Sequence, residues 1–270
     1  MEKDSVSYCI ELALKKKKTL DTSPIKYLIR AALASVYMGF VFIVCIKLAE
    51  VFRLQDSPFV SIAYPFVFAT ALIMIIYGGA ELFTSNTMYL TFSTLDKKTT
   101  KFDLLKNWIA CYSGNVLGAL LFALLFYSTG LANAFPKDNF LNAVIDHKTH
   151  VSYFHLFFKG VLCNWLVCLA CFIPMRFKDD LAKLLLIYLL VFAFFFSGYE
   201  HSIANIAVFA IFSIIPHEMA FTLGDVLHNL IPVTLGNIVG GSVGVGMTYY
   251  YLSREEKQPV RNKSNLKRIS

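Results

Sequence analysis

The chain has 270 residues, of which 57% are hydrophobic and 16% are charged, and its mean hydropathy is +0.59. Soluble domains carry about 25% charged residues, so this composition excludes an ordinary soluble enzyme or binding domain and predicts an all-α, polytopic membrane protein. No nucleic-acid-binding motif accompanies the formal net charge of +7, and we assign that charge to membrane topology and to contact with anionic lipids.

Six apolar windows are long enough for the roughly 20 residues that a membrane-spanning helix needs. The second and fifth windows are too long for one straight span and hold polar residues near their middle, so we predict that these two helices are broken. The windows are 30–53, 60–94, 107–132, 154–175, 183–213 and 229–252. They divide the chain into a cytoplasmic N-terminal segment, 1–29, a single transmembrane domain, 30–252, and a basic cytoplasmic tail, 253–270.

The basic residues predict the orientation of these spans. Twenty of the 25 Lys and Arg residues lie in four segments that six spans place on the same side: 1–30, 95–106, 175–183 and 253–270. Loops rich in Lys and Arg stay in the cytoplasm. We therefore expect a multi-pass protein of the cell inner (plasma) membrane with both termini cytoplasmic.

Neither a metal site nor a cofactor site is indicated by the cysteines and histidines. Five of the six cysteines lie in apolar spans, and we interpret them as packing residues, including Cys168 and Cys171 despite their redox-type spacing. Ser202 beside His201 raises the alternative of a hydrolase, but neighbours on a helix do not face each other. We predict no cofactor, no metal and no enzymatic activity.

An internal repeat runs through the membrane domain. The pattern G-x-E-x4-N occurs as "GAELFTSN" at 79–86 and as "GYEHSIAN" at 198–205, an offset of 119 residues. A second pattern recurs at an offset of 122 residues, with Asn107, Gly114, Asn115 and Gly118 matched by Asn229, Gly236, Asn237 and Gly240. Two patterns in the same order predict two copies of one three-span unit, 30–132 and 154–252.

Each copy has an odd number of spans, so the two copies should cross the membrane in opposite directions, as an inverted repeat whose permeation site lies at mid-membrane. We interpret Gly79 and Gly198 as the residues that permit the helix breaks, and Glu81 and Glu200 as scaffold at those breaks. His201 has the apolar counterpart Leu82, so the repeat does not require a histidine there. An ionisable residue at mid-membrane indicates function, and we predict that His201 faces a pore.

These segments, together with "KGVLCNWLVCLA" at 159–170 and "GNIVGG" at 236–241, resemble the formate/nitrite transporter family. Within that family the chain is most similar to the hydrosulfide channel branch. The resemblance implies an aquaporin-like protomer and a homopentamer with one pore per subunit. It also implies passive passage of small monovalent anions, with hydrosulfide favoured and with formate and nitrite as further permeants.

The resemblance also implies roles for individual residues. The pore centre would consist of His201, Thr84, Asn164 and Asn205. Hydrophobic constrictions would be formed by Phe68, Leu72, Leu82, Phe83, Val167 and Phe194. Anions would be attracted at the two mouths by Lys148 and by one lysine of the run Lys15–Lys18, for which Lys16 is favoured.

Two alternatives remain open at this point, and a third, an aquaporin-type channel, lacks its sequence motifs. A nitrite or formate transporter would use the same residues. A proton-coupled carrier of the same weak acids would differ from a channel only in its kinetics, because inverted repeats occur in both. An aquaporin-type channel would normally bring paired Asn-Pro-Ala motifs, which the sequence lacks.

Overall fold

The computed structural model describes residues 2–254, and the regular structure in this range is helical. Residues 255–270, most of the predicted basic tail, lie outside the described residues. The α-helices are α1 (Glu2–Thr22), α2 (Pro24–Arg53), α3 (Val60–Phe68), α4 (Thr70–Tyr77), α5 (Phe83–Leu95), α6 (Lys101–Ser128), α7 (Phe140–His150), α8 (Tyr153–Phe172), α9 (Asp180–Phe196), α10 (Ser202–Phe212), α11 (Leu223–Val239) and α12 (Thr248–Leu252). Two 3₁₀ helices, Leu131–Ala134 and Ile173–Arg176, and a π-helix, Gly240–Met247, complete them.

Five helical stretches of the described range are long and apolar enough to cross a membrane: Pro24–Arg53, Val60–Tyr77, Lys101–Ser128, Tyr153–Arg176 and Leu223–Leu252. They correspond to all the predicted windows except the fifth. That window is divided between α9, with 17 residues, and the short apolar α10, with 11. The all-α polytopic membrane fold is therefore confirmed.

Both predicted helix breaks are present. In the second window α4 ends at Tyr77 and α5 begins at Phe83, and in the fifth window α9 ends at Phe196 and α10 begins at Ser202. The turn after the first half-helix uses a glycine with positive φ in each case, +68° at Gly79 and +70° at Gly198. A side chain rarely adopts this backbone conformation, which explains why glycine opens both motifs.

Two helices outside the predicted spans, α1 and α7, precede the first span of each half. The sequence analysis assigned no element to either segment. The signal for α1 is the spacing of Val6, Cys9, Ala13 and Leu20, which places four buried side chains on one helical face. This face packs α1 against the membrane domain.

Glycines let the spans approach closely. A Cβ atom at Gly118 of α6 would collide with the carbonyl oxygen of Ala32 in α2, and one at Gly236 of α11 would collide with the carbonyl oxygen of Phe157 in α8. Small residues at such crossings allow backbone contact between membrane helices. The helix pairs α2–α6 and α8–α11 are equivalent in the repeat, so each half contains a helix pair packed closely through glycines.

The π-helix brings the last span against the centre of the molecule. Its Gly241 faces the hydroxyl of Thr87 in α5 and the amide of Asn164 in α8, and a Cβ atom there would overlap both. Single π-turns occur often at functional sites. Here an eight-residue π segment lies beside Thr87 of the half-helix α5.

Candidate functional site

Two cavities enter the protein, one beside α1 and one beside α7. The α1-side cavity, about 540 Å³, includes Lys16, Arg30 and Glu81 in its wall. The α7-side cavity, about 340 Å³, includes Phe42, Lys148 and His201. The two cavities share no lining residue, so in this conformation they are separated by protein.

The first helix break is held by Asn115 of α6. Its Oδ1 accepts a hydrogen bond from the N–H of Phe83 at 3.1 Å, and its Nδ2 donates to the carbonyl oxygens of Ala31 at 2.7 Å and Glu81 at 2.9 Å. Backbone groups freed by a break inside a membrane need such partners. The buried asparagine therefore satisfies the break and joins it to α2 and α6.

The second break is held in the same way by Asn237 of α11. Its Oδ1 accepts from the N–H of Ser202 at 2.8 Å, and its Nδ2 donates to the carbonyl oxygens of Gly160 at 2.8 Å and Glu200 at 3.0 Å. Each of these three hydrogen bonds has a counterpart around Asn115 in the first half. The internal repeat found in the sequence is thus a repeat of hydrogen bonds.

At the first break, Glu81 binds a lysine from α1. The Lys16 Nζ lies 2.5 Å from Glu81 Oε2, and the same oxygen accepts from Asn86 Nδ2 at 3.2 Å. Asn86 Nδ2 also donates to Asn107 Oδ1 at 3.1 Å. Lys17, by contrast, pairs with Asp21 on the surface, so the geometry distinguishes Lys16 from its neighbour.

At the second break, Glu200 binds a lysine from α7. The Lys148 Nζ donates to Glu200 Oε2 at 2.7 Å and to Asn205 Oδ1 at 2.8 Å. Asn205 Nδ2 donates to Glu200 Oε2 at 2.6 Å and to Asn229 Oδ1 at 2.7 Å. Each buried carboxylate is therefore neutralised by a lysine, and the two helices α1 and α7 are tied to the two breaks.

Thr84 and His201, one from each half, meet at the wall of the α7-side cavity, which His201 lines. Thr84 Oγ1 lies 2.9 Å from His201 Nε2, and both residues are buried. The N–H of Ala204 donates to His201 Nδ1 at 3.0 Å. Since Nδ1 accepts, the neutral ring carries its proton on Nε2 and donates it to Thr84, which leaves the threonine hydroxyl proton for another acceptor.

Asn164 lies beside this pair but is occupied with packing contacts. Its Nδ2 approaches the carbonyl oxygens of Thr84 at 3.1 Å and Asn237 at 2.6 Å and the hydroxyl of Thr87 at 3.0 Å. Asn205, also predicted at the pore centre, instead belongs to the lysine cluster on the wall of the α7-side cavity. A direct pore role for either asparagine stays a prediction.

Aromatic rings separate the α7-side cavity from the interior. Phe194 lines this cavity, and its ring centroid is 6.0 Å from that of His201. Phe68 packs edge-on against Phe194 at 6.4 Å and stacks on Phe195 at 4.2 Å. Leu72 lies in the wall of the α1-side cavity. These positions agree with the predicted constriction role of Phe68, Leu72 and Phe194, which stays a prediction.

The remaining predicted constriction residues, Leu82, Phe83 and Val167, are buried but line neither cavity. The Phe83 ring contacts Tyr112 of α6 edge-on, with 5.0 Å between centroids. The pore role of these three residues also stays a prediction.

Phe195 and Arg30 are two of the cavity-wall residues that were not predicted from the sequence. Phe195 lines the α7-side cavity, and the run of three phenylalanines at 194–196 was its signal. Arg30 lines the α1-side cavity, and its signal was a cation at the start of the first apolar window. Within residues 2–254 no group of three His, Cys, Asp or Glu side chains is placed to hold a metal ion.

The sequence profile described as "Formate/nitrite transporter" matches residues 4–251, which is nearly the whole chain. The chain belongs to the formate/nitrite transporter family. The recognition made from the helix-break motifs is therefore confirmed at the level of the family, whereas its hydrosulfide branch is not tested.

Curated members of the formate/nitrite transporter family match over almost their full length. The chain is 44% identical over 256 residues to the uncharacterized transporter YwcJ of Bacillus subtilis, covering 95% of this chain and 100% of that protein. It is 35% identical over 263 residues to the nitrite transporter NirC of Escherichia coli, covering 97% and 96%. The family's members are transporters, and none of these names describes an enzyme.

Two solved structures share the fold. One, described as an FNT family ion channel, has a TM-score of 0.86 and 34% sequence identity, covering 92% of this chain and 98% of that chain. The other, described as a pentameric formate channel with formate bound, has a TM-score of 0.69 and 29% identity, covering 84% and 96%. Both are described as channels.

Proposed function

We propose that the protein is a membrane channel that passes small monovalent anions through one pore in each subunit. The observation that carries this proposal is the Thr84–His201 pair, which joins the two halves of the repeat at the wall of one of two separate cavities. Its protomer is aquaporin-like in its broken helices, and its two halves form an inverted repeat.

The arrangement suits an anion on entry to the cavity, between the apolar rings and at the Thr84–His201 pair. The cationic side chains of the α1-side cavity outnumber its one carboxylate, and such an excess of positive charge raises the local concentration of anions. A small anion that leaves water between apolar rings must find replacement hydrogen bonds. The Thr84 hydroxyl and the His201 Nε2–H are donors, and hydrogen bonds to an ionised acceptor are roughly twice as strong as neutral ones.

Nitrite and formate are the first candidate substrates. A relative with 35% identity is named a nitrite transporter, and a structural neighbour with 29% identity holds formate. Hydrosulfide, which the sequence motifs favoured, stays a prediction without support from these relatives. We further propose a homopentamer in the cell inner membrane with both termini cytoplasmic, which the concentration of basic residues favours.

Proteoliposome flux of formate, nitrite and hydrosulfide tests the proposal, with Thr84→Val and Thr84→Ser as the matched variants. Thr84→Val removes the hydroxyl and leaves His201 Nε2–H without its acceptor, so we expect anion flux to fall about tenfold or more. Thr84→Ser keeps the hydroxyl and should keep most of the flux. An equal loss of flux in the two variants would show that passage of the anion does not depend on the Thr84 hydroxyl.

His201→Ala separates passage of anions from passage of neutral acids. If His201 handles charge or a proton, its removal should change nitrite flux and hydrosulfide flux with different pH profiles, because much hydrogen sulfide is neutral near pH 7. Identical responses of the two substrates at every pH would return His201 to a packing role.

The proton-coupled carrier is the second candidate, since inverted repeats serve both mechanisms. Parallel measurement of anion and proton uptake distinguishes the two. Flux that saturates and carries protons at a fixed ratio favours the carrier, and flux that rises in proportion to concentration favours the channel.

A further inference from the structure

Charge is distributed unequally between the two cavities. The α1-side cavity is lined by one carboxylate, Glu81, and by four cationic side chains, those of Lys15, Lys16, Arg30 and Lys183. The α7-side cavity is lined by one carboxylate, Glu200, and one lysine, Lys148. Burial and the nearby Lys159 lower the pKa of His147, another residue of the α7-side wall, so that its ring is neutral at pH 7.

The excess positive charge of the α1-side cavity rests on two unpaired side chains. Lys16 is neutralised by Glu81 at 2.5 Å, and Lys183 pairs with Asp180 at 2.8 Å. Within the described part of the chain, Lys15 and Arg30 form no side-chain ion pair. Their charges are therefore available to a ligand in the cavity.

The internal repeat does not require this charge. The N–H of Glu81 donates to the carbonyl oxygen of Arg30, and in the second half the N–H of Glu200 donates to that of Lys159. Lys159 thus occupies the equivalent backbone position, yet it does not line the α7-side cavity. Arg30 in the cavity wall is a property of one half only.

The size of the α1-side cavity exceeds what a small permeant needs. Its volume of about 540 Å³ lies in the range of pockets that bind whole metabolites rather than ions of a few atoms. The exposed tyrosines Tyr8 and Tyr77 also stand in its wall and offer hydroxyl donors. A guanidinium presents parallel N–H groups that match the oxygens of a phosphate.

We propose that the α1-side cavity binds a multivalent phosphate-type anion, which contacts Arg30 and Lys15 and blocks the pore from that side. The anion stops there because the cavity ends against the buried side chains of Leu72, Ile75 and Ile187. A multivalent ion loses far more hydration free energy than a monovalent one on entering such surroundings. Binding does not depend on the proposed function, whereas block rests on it.

Binding is measured by calorimetry on the purified, detergent-solubilised protein with inorganic pyrophosphate at low ionic strength. We expect wild type to bind and Arg30→Gln to bind about tenfold more weakly, the loss of one charge-assisted contact. Lys26→Gln is the matched control, since Lys26 is exposed on the same helix, carries the same charge and lies outside the cavity wall. Arg30→Lys should bind with intermediate affinity.

Absence of pyrophosphate binding to wild type would overturn the proposal. Equal affinities of wild type and Arg30→Gln would overturn it as well, and so would equal losses in Arg30→Gln and Lys26→Gln. Because the Arg30 side chain forms no ion pair in the described chain, size-exclusion chromatography should show Arg30→Gln assembled like wild type, so that a binding loss is not a folding loss.

Block is measured by recording formate current across planar phosphatidylcholine bilayers, with pyrophosphate added to one chamber and then to the other. Potassium chloride keeps the ionic strength equal, so that screening does not imitate block. We expect block from one chamber only, with Arg30→Gln relieving it and Lys26→Gln leaving it unchanged. Block from both chambers, or block that Arg30→Gln does not relieve, contradicts the proposal. If wild type carries no formate current, the proposed function fails. The calorimetry still tests whether the α1-side cavity binds pyrophosphate.

Discussion

At the scale of single residues, the two lysines at the cavities have a structural role besides the predicted attraction of anions. Lys16 and Lys148 each form an ion pair with a buried glutamate, at 2.5 and 2.7 Å. A paired lysine presents little net charge to an incoming anion. The main role of the two lysines is therefore to hold α1 and α7 to the helix breaks. Any attraction of anions comes from the positive charge that the paired carboxylates do not neutralise.

The Lys148–Glu200 pair yields a prediction on stability. Glu200→Ala removes the carboxylate that accepts from Lys148 and Asn205, so the buried ammonium keeps only Asn205 Oδ1 and loses its counter-charge, at a cost of about 1–3 kcal/mol for each lost hydrogen bond. We expect a lower thermal midpoint and a lower yield of assembled protein, measured by differential scanning fluorimetry and size-exclusion chromatography. The exposed Glu218→Ala is the control and should behave like wild type.

A second variant identifies the source of that loss. Glu200→Ala combined with Lys148→Met removes the buried unpaired charge and should recover part of the stability. If the single and double variants unfold at the same temperature, the ion pair does not explain the effect of Glu200.

At the scale of helices, the close crossing of α8 and α11 rests on Gly236. A Cβ atom there would overlap the carbonyl oxygen of Phe157, so Gly236→Ala forces the two helices apart. We expect a loss of about 1–3 kcal/mol, seen as a lower thermal midpoint. Gly224→Ala on the same helix meets only the Thr222 hydroxyl at 3.3 Å and should change stability by less than about 1 kcal/mol. A larger effect at Gly224 would refute the packing argument.

Surface ion pairs join the end of α1 to α6, and they give a pH dependence. Asp21 lies 2.6 Å from both Lys106 and Lys17, and hydrogen bonds from Lys106 and then Lys17 lower the pKa of Asp21 below its usual 3.8. A carboxylate with a depressed folded-state pKa stabilises the folded state above its unfolded pKa and ceases to do so as pH falls through the folded value. The contact should therefore be intact at neutral pH and weaken below about pH 3.8.

Hydrogen exchange of the α1 amides, corrected for intrinsic rate, measures this contact. We expect unchanged protection from pH 7 to 5, and less protection below pH 3.8. Asp21→Asn should lower protection already at pH 7, while Glu11→Gln, an exposed acid on the same helix, should not. Protection that persists in Asp21→Asn would show that the apolar face of α1 alone holds the helix.

At the scale of the whole molecule, much apolar surface of the single chain is exposed. On α6 alone the exposed side chains include Leu117, Leu120, Leu121, Leu124 and Leu125. In a membrane such a surface faces lipid or other subunits. One structural neighbour with 29% identity is pentameric, which favours the same use of these faces here.

The assembly prediction is a homopentamer of the 30.5 kDa chain. Native mass spectrometry after gentle detergent extraction should show five copies as the main species, and chemical cross-linking should yield a ladder that ends at five. The measurement is repeated in two detergents to separate assembly from detergent effects. A ladder that ends at two would contradict the pentamer and leave the single-chain pore as the functional unit.

The sequence by itself determined the membrane class, the spans, the two helix breaks and the repeat. These features depend on local quantities: the length of an apolar run, a glycine where φ is positive, and the recurrence of Glu and Asn at fixed spacing. His201 could be singled out for the same reason, because a histidine inside an apolar run stands out locally. The family then followed from motifs spread along the chain.

Only the tertiary structure decided which polar groups meet and which side chains line the cavities. Thr84 and His201 are 117 residues apart, and no local pattern places one beside the other. Asn164 was also predicted at the pore centre, and only the structure shows that its amide contacts Thr84, Thr87 and Asn237. A membrane helix is apolar on all sides, so its sequence does not mark the face that turns to the pore, to lipid or to another helix; only the packing of the helices distinguishes them.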